Sequence, residues 1–232
     1  MMQKPIRAAL LVGSPRGPNS TSNSLGTFLL ERLQQNGVTT EKAYVCQSLG
    51  SDENRAALLR LVDESDLIIF AFPLYVDCLH SKAIEALELI AEHEKTKHDG
   101  KKSFAVIANC GFSEAEQNNT AIAVCRIFAK EVGFNWAGAL AMGGGEMVGG
   151  KPLAELGGQI GFFFKHRKKA LEIAADALSR GEPIPEKATV MMSKLGFPKW
   201  MFLWFANRGW RSKAKKCNSV DKLYDQPFKR DV

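Results

Sequence analysis

The chain has 232 residues, 45% of them hydrophobic and 24% charged, with a formal net charge of +6. That is the make-up of a globular domain large enough to bury a core unaided, which excludes a miniature scaffold stapled by disulfides or metal. The five cysteines, at positions 46, 78, 110, 125 and 217, are odd in number and contain no CxxC pair; a zinc ribbon, a CxxC-bound iron–sulfur cluster and a dithiol motif all lose their basis.

Read in chain order, short apolar runs alternate with helical patterns. Ile6–Val12 is a continuous apolar run, followed by a Ser/Gly/Pro loop and then Leu25, Phe28, Leu29 and Leu33 at helical spacing, which predicts strand, loop and helix. Thr39–Cys46 reads as a second strand and Asn54–Val62 as a short helix. Asp66–Phe72 is the clearest strand, followed by a helix over Ser81–His93 and a strand over Ser103–Asn109. Ser113 with Glu116 three residues on has the spacing of a capping box opening the next helix. Asn135–Met142 is a fifth strand, ending in Gly143, Gly144 and Gly145, and a helix over Lys165–Ser179 closes the series. Five β-then-α units imply a parallel sheet covered on both faces. The run Ala8–Val12 is too short for the core of a secretory leader, so the expectation is cytoplasmic. The longest later apolar run, Trp200–Ala206, falls far short of the ~20 residues of a spanning helix.

Charge is unevenly spread. Residues 1–180 carry 20 basic and 20 acidic side chains, whereas 181–232 carry 11 and 5. A neutral body argues for a small-molecule site there rather than a nucleic-acid face.

Open sheets of this kind hold ligands outside the carboxyl ends of their strands, which directs attention to the loops after strands one, three and four. The first, Gly13–Ser24, contains the hydroxyls of Ser14, Ser20, Thr21, Ser22 and Ser24 together with Arg16. Lying between a strand and a helix N-terminus, these residues suit a phosphate, since amides, helix dipole and hydroxyls all favour an anion there. The segment fits neither GxGxxG nor a Walker loop. A near miss lies at Gly145–Pro152, which fits GxxxxGK but has Pro152 at the Ser/Thr position. Proline removes both the metal-binding hydroxyl and a required N–H, so nucleotide triphosphate hydrolysis is rejected. The glycines suit a loop over the ligand face or a structural turn. Cys110 has no nearby histidine and reads as a small buried residue rather than a redox nucleophile. His93 and His98 match no metal spacing and read as solvated helix-end residues; no metal site is expected.

Gly13-Ser-Pro-Arg16, the Ser20-Thr-Ser22 cluster, Pro73-x-Tyr75 at the end of the third strand and the five-unit spacing together resemble the flavodoxin-like NAD(P)H-dependent FMN reductases and quinone or azo reductases. The resemblance covers roughly residues 5–180 and rests on motifs more specific than a lone glycine pattern. It implies a doubly wound α/β fold, a five-stranded parallel sheet of order 2-1-3-4-5, FMN as cofactor and NADH or NADPH as reductant. It also implies that Ser14, Arg16, Ser20, Thr21 and Ser22 hold the FMN phosphate. Pro73, Leu74 and Tyr75 would lie along the isoalloxazine, and Asn109, Cys110 and Gly111 at its pyrimidine edge, where amides at 110–112 would meet charge on the reduced flavin. Tyr75 either stacks on the ring or packs in the core. Two departures stand out: a longer first loop than in many members, and Asp77-Cys78-Leu79 in place of a Pro/Gly-rich continuation. No catalytic side chain is needed, since the flavin carries the chemistry. The function implied is hydride transfer from NAD(P)H through FMN to a small-molecule quinone, nitro, azo or flavin acceptor, in a homodimer. A flavodoxin-type electron carrier and an FMN-binding adaptor are the alternatives.

These readings divide the chain into a domain over 1–182 and a basic, aromatic-rich extension over 183–232. The extension carries three of the four tryptophans. Pro198 followed by Lys199–Asn207, with Gly209 beyond, predicts a short helix. Its apolar residues cover most of the circumference, so burial is expected. Packing on the body or across a dimer, peripheral contact with a membrane surface, and nucleic-acid binding are the competing readings, in that order.

Overall fold

The computed structural model describes residues 6–95, 102–156 and 158–226, so the reading of His98 lies outside the described residues. The chain forms two compact units, Met1–Gly196 and Phe197–Val232.

In the first unit, five parallel strands form one sheet: β1 (Arg7–Val12), β2 (Thr39–Tyr44), β3 (Leu67–Pro73), β4 (Ser103–Asn109) and β5 (Asn135–Met142). Their order is β2-β1-β3-β4-β5, the flavodoxin-like order implied above. Successive side chains on a strand face opposite sides. Leu10 and Val12 therefore enter a core with Leu25, Leu29 and Leu171 on one face, while Ala9 and Leu11 join Phe70, Phe72 and Phe104 on the other. Both faces need apolar residues, which is why β1, β3 and β4 read as continuous hydrophobic runs.

The helices that cover the sheet begin with α1 (Thr21–Gln35), α2 (Val45–Ser48) and α3 (Asp52–Asp63). They continue with α4 (Ser81–Glu94), α5 (Asn119–Glu131), α6 (Gly158–Ser179) and α7 (Glu186–Ser193). Gly26 lets α1 approach β1 closely: a Cβ there would stand 2.6 Å from a Leu10 methyl.

Three local expectations change. Ser113 forms no capping box; its hydroxyl donates to the Glu114 carboxylate at 2.6 Å, and a 3₁₀ turn over Ala115–Asn118 precedes α5. Residues 183–196 belong to the first unit because Ile184 N–H donates to Ala137 O at 2.7 Å, adding a covering segment to β5; α7 then packs on that strand. His93 is half-buried rather than solvated, with Nε2 3.0 Å from both carboxylate oxygens of Asp63.

The second unit contains α8 (Lys199–Lys216), about twice the predicted length. Gly209 lies inside the helix. The helix ends instead at Asn218, which takes the left-handed conformation with φ 51°. Ser219 N–H bonds Ala214 O at 3.0 Å and Asn218 N–H bonds Lys215 O at 3.3 Å; this is a Schellman closure with asparagine in the place glycine usually takes.

Candidate functional site

The strand register sets the site. Val12 pairs with Ala71, Pro73 with Asn109, and Asn109 with Met142, so β1, β3, β4 and β5 end at one level and their loops enclose one cleft of about 220 Å³. The order reverses between β1 and β3, the switch point at which such sheets bind ligands.

From the first loop, Ser14, Arg16, Ser20, Thr21 and Ser22 line this cleft. A 3₁₀ turn over Gly17–Asn19 leads to Ser20, which is extended and caps α1 by accepting the Asn23 N–H at 3.1 Å. Its hydroxyl also donates to Gly17 O at 2.6 Å. Thr21 Oγ1 donates to Gly145 O at 2.7 Å. These two hydroxyls are therefore engaged in holding the loop. The N–H groups of Thr21 and Ser22 have no acceptor within the helix, as at any helix start. The Arg16 guanidinium is exposed and has no partner among the described residues. Ser22 Oγ accepts from Asn109 Nδ2 at 2.8 Å, which leaves its own hydrogen free to donate.

From the loop after β3, Pro73, Leu74 and Tyr75 line the same cleft. Tyr75 and Cys78 exchange backbone hydrogen bonds at 2.8 and 3.0 Å, closing a two-residue turn. Val76 and Asp77 both have positive φ, 45° and 61°, as the primed hairpin turns require. For a β-branched valine that backbone is strained, and this one is 97% exposed. Tyr75 stands outside the core, 40% exposed, with its ring edge-on to His80.

From the loop after β4 come Asn109, Cys110 and Gly111. The buried Asn109 amide donates to both Ser22 Oγ and Phe72 O, the latter at 3.0 Å, so it links loops rather than facing a ligand. Cys110 N–H donates to Met142 O at 3.0 Å. Of the amides at 110–112, therefore, those of Gly111 and Phe112 alone lack an acceptor among the described residues. The Cys110 thiol is buried and donates to Glu114 O at 3.4 Å. Burial pushes its pKa up, which keeps it a neutral thiol.

Gly145 and Glu146 complete the lining; the glycines of that segment suit a loop over the ligand face, but sequence reasoning did not single out Glu146 and missed Arg167 altogether. Arg167 is fully buried on α6; Nη2 donates to Gly143 O at 2.9 Å and Nε to Lys194 O at 3.2 Å. Burial lowers its pKa to about 10, so it stays charged at neutral pH, stacked over Phe164 at 4.9 Å. In sequence it sits within Lys165-His-Arg-Lys-Lys169, where nothing marks one cation as the internal one.

No protein-family model and no curated protein matches the sequence. Solved structures do. An FMN-dependent NADH-azoreductase from Bacillus anthracis in complex with FMN aligns with a TM-score of 0.53 at 12% identity, over 75% of this chain and 99% of that one. A flavodoxin from Streptococcus pneumoniae TIGR4 aligns at 0.51 and 15% identity, over 75% and 97%. Rubredoxin oxygen:oxidoreductase from Desulfovibrio gigas aligns at 0.51 and 12% identity over 75% of this chain, which spans only 35% of that protein's length. Together with the strand order, these likenesses make the fold flavodoxin-like.

Proposed function

We propose that the chain is an FMN-dependent oxidoreductase of the NAD(P)H-dependent FMN reductase and quinone or azo reductase family. The observation that carries the reading is the convergence, at the switch point, of unengaged donors from two loops. They are the Ser14 and Ser22 hydroxyls, the Thr21 and Ser22 amides and the Arg16 guanidinium from the loop after β1, with the Gly111 amide from the loop after β4.

The residues present fit FMN. A phosphate at the start of α1 gains from amides, helix dipole and a charge-assisted contact with Arg16. Ser20 and Thr21 contribute by fixing the loop, because their hydroxyls are already bonded to Gly17 O and Gly145 O. Pro73, Leu74 and Tyr75 would lie along the isoalloxazine, with Tyr75 closing one side of it. The Gly111 amide would meet the pyrimidine edge, where a donor fixed in advance favours negative charge. Bound FMN supplies the hydride and electron chemistry. Cys110, held neutral, takes no part in proton transfer.

NADH or NADPH is the reductant in this reading, and a quinone, nitro, azo or flavin compound the acceptor. The protein acts in the cytoplasm as a homodimer, which sedimentation of the purified chain would test. The likeness to a flavodoxin favours one second reading, an electron carrier without its own nucleotide site.

The test is the visible spectrum of protein mixed with excess FMN and then desalted, followed by anaerobic addition of NADH or NADPH. The expected result is a retained flavin spectrum that bleaches with nucleotide and returns with a quinone or azo dye. A colourless protein would overturn the FMN assignment. Flavin that dithionite reduces but neither nucleotide does would favour the carrier.

A further inference from the structure

The second unit is chemically unlike the first. Residues 1–196 contain 22 basic and 22 acidic side chains, whereas Phe197–Val232 contain nine and three. The whole +6 net charge of the chain thus belongs to its last 36 residues.

Within α8 the two properties are sorted along the axis rather than around it. Trp200–Ala206 is apolar at every position, so at 100° per residue it presents hydrophobic surface in all directions. At 1.5 Å per residue that stretch is ~10 Å long. Beyond it come Arg208, Arg211, Lys213, Lys215 and Lys216, with Gly209 at the junction and open space around it. Trp200, Leu203, Trp204, Phe205 and Trp210 are all exposed. Among the described residues of its unit, α8 has no second helix or strand against which to bury them. Two cations stand beside tryptophan faces, Arg208 over Trp204 at 5.7 Å and Lys213 over Trp210 at 5.2 Å.

We propose that α8 docks the protein on an anionic lipid bilayer. The apolar half enters the boundary between headgroups and acyl chains, whose depth for such helices is about 5–10 Å, and the basic half stays among the headgroups. Tryptophans and long cationic side chains favour that boundary, the former for their amphipathic rings and the latter because their stems lie along apolar surface while their charges remain wet. No described helix is long and apolar enough to cross a membrane, so the contact is peripheral. A nucleic acid fits less well. Its phosphates call for cations along the contacting face, and the first two turns of α8 offer only Lys199.

The experiment uses the full chain and sedimentation with large vesicles. Phosphatidylcholine vesicles containing about 30% phosphatidylglycerol should capture it at least about tenfold more strongly than phosphatidylcholine alone, less so in high salt, with a blue shift of tryptophan emission. Trp200→Ser with Trp204→Ser should abolish capture. Arg208→Gln, Arg211→Gln, Lys213→Gln and Lys215→Gln together should remove the preference for anionic lipid while leaving weak binding. Unchanged far-ultraviolet circular dichroism at the melting transition of the first unit would show that the variants remain folded. No capture by the anionic vesicles, capture that survives the tryptophan changes, or tight retention of an oligonucleotide that competes with vesicles would each overturn the proposal.

Discussion

Two glycine-bearing loops leave the same edge of the sheet, and they treat their backbone N–H groups in opposite ways. The loop from Gly13 into α1 leaves the amides of Thr21 and Ser22, two residues that line the cleft, without an acceptor in the helix, since Ser20 caps only the next position. The loop from Gly143 to Lys151, which has the spacing of a phosphate-binding motif, spends five of its amides on backbone carbonyls. Gly144 N–H donates to Phe112 O, Gly145 to Cys110 O, Met147 to Gly144 O, Val148 to Gly145 O and Lys151 to Val148 O. A cradle needs unspent donors; five amides of the segment that looks like a phosphate loop are spent, and the segment without the motif is the one proposed above to hold the anion. Motif spacing records where glycines are; donor accounting decides what they can bind.

The structural role of the second loop is broken most severely at Arg167. Arg167→Met takes the donor from the Gly143 carbonyl, while Lys194 O keeps His166 Nε2 at 3.0 Å, and is expected to cost about 2 kcal/mol in denaturant unfolding, within the range for an unpaired buried polar group. Arg167→Lys should recover part of that loss. A loss under about 0.5 kcal/mol would mean the arginine does not hold the loop.

The binding role of the first loop is tested next. Ser14→Ala with Arg16→Ala should weaken FMN by about 2 kcal/mol, or ~30-fold, as removal of charge-assisted and neutral donors implies. Fluorescence titration of FMN measures this, and affinity unchanged in the double variant would move the phosphate elsewhere. Between the loops stands the strained hairpin after β3. Val76→Gly removes the side chain from a positive-φ position and should stabilise the fold by about 0.5 kcal/mol in thermal unfolding; a comparable loss would show the valine to be held by a contact of its own. The smallest effect sharpens the comparison furthest. Lys151→Ala, at the motif's lysine, should leave FMN affinity within a factor of about two, and a tenfold loss would restore the second loop as a binding element.

Much of this fold was legible. Ser103–Asn109 and Asn135–Met142 have the bounds of β4 and β5, because each strand carries an apolar run between polar breaks, β4 being buried on both faces. The cleft was legible as a location too, since the eleven residues assigned to the cofactor line it, while Ser24, named in the same loop, instead donates its hydroxyl to Ser20 O at 3.2 Å; strand order fixes which loops meet. What the sequence concealed was how each donor is used. Nothing in the letters tells Asn109 to turn its amide toward Ser22 and Phe72, or Ser113 to bond Glu114 instead of capping a helix. Helix ends were equally opaque. Gly209 reads as a terminator, yet asparagine at 218 supplies the left-handed turn nine residues later, since helical propensity costs glycine only ~1 kcal/mol.

Asn109 also has a consequence for anyone who would recombine this protein. One side chain fastens the start of α1 to the end of β3 while its own backbone carbonyl receives the Leu74 N–H at 2.7 Å. The three segments that an engineer would treat as interchangeable cassettes are thus bolted together at a single position. A chimera that imports residues 7–38 from another member of the fold inherits a mismatched fastening unless it brings a hydroxyl to position 22.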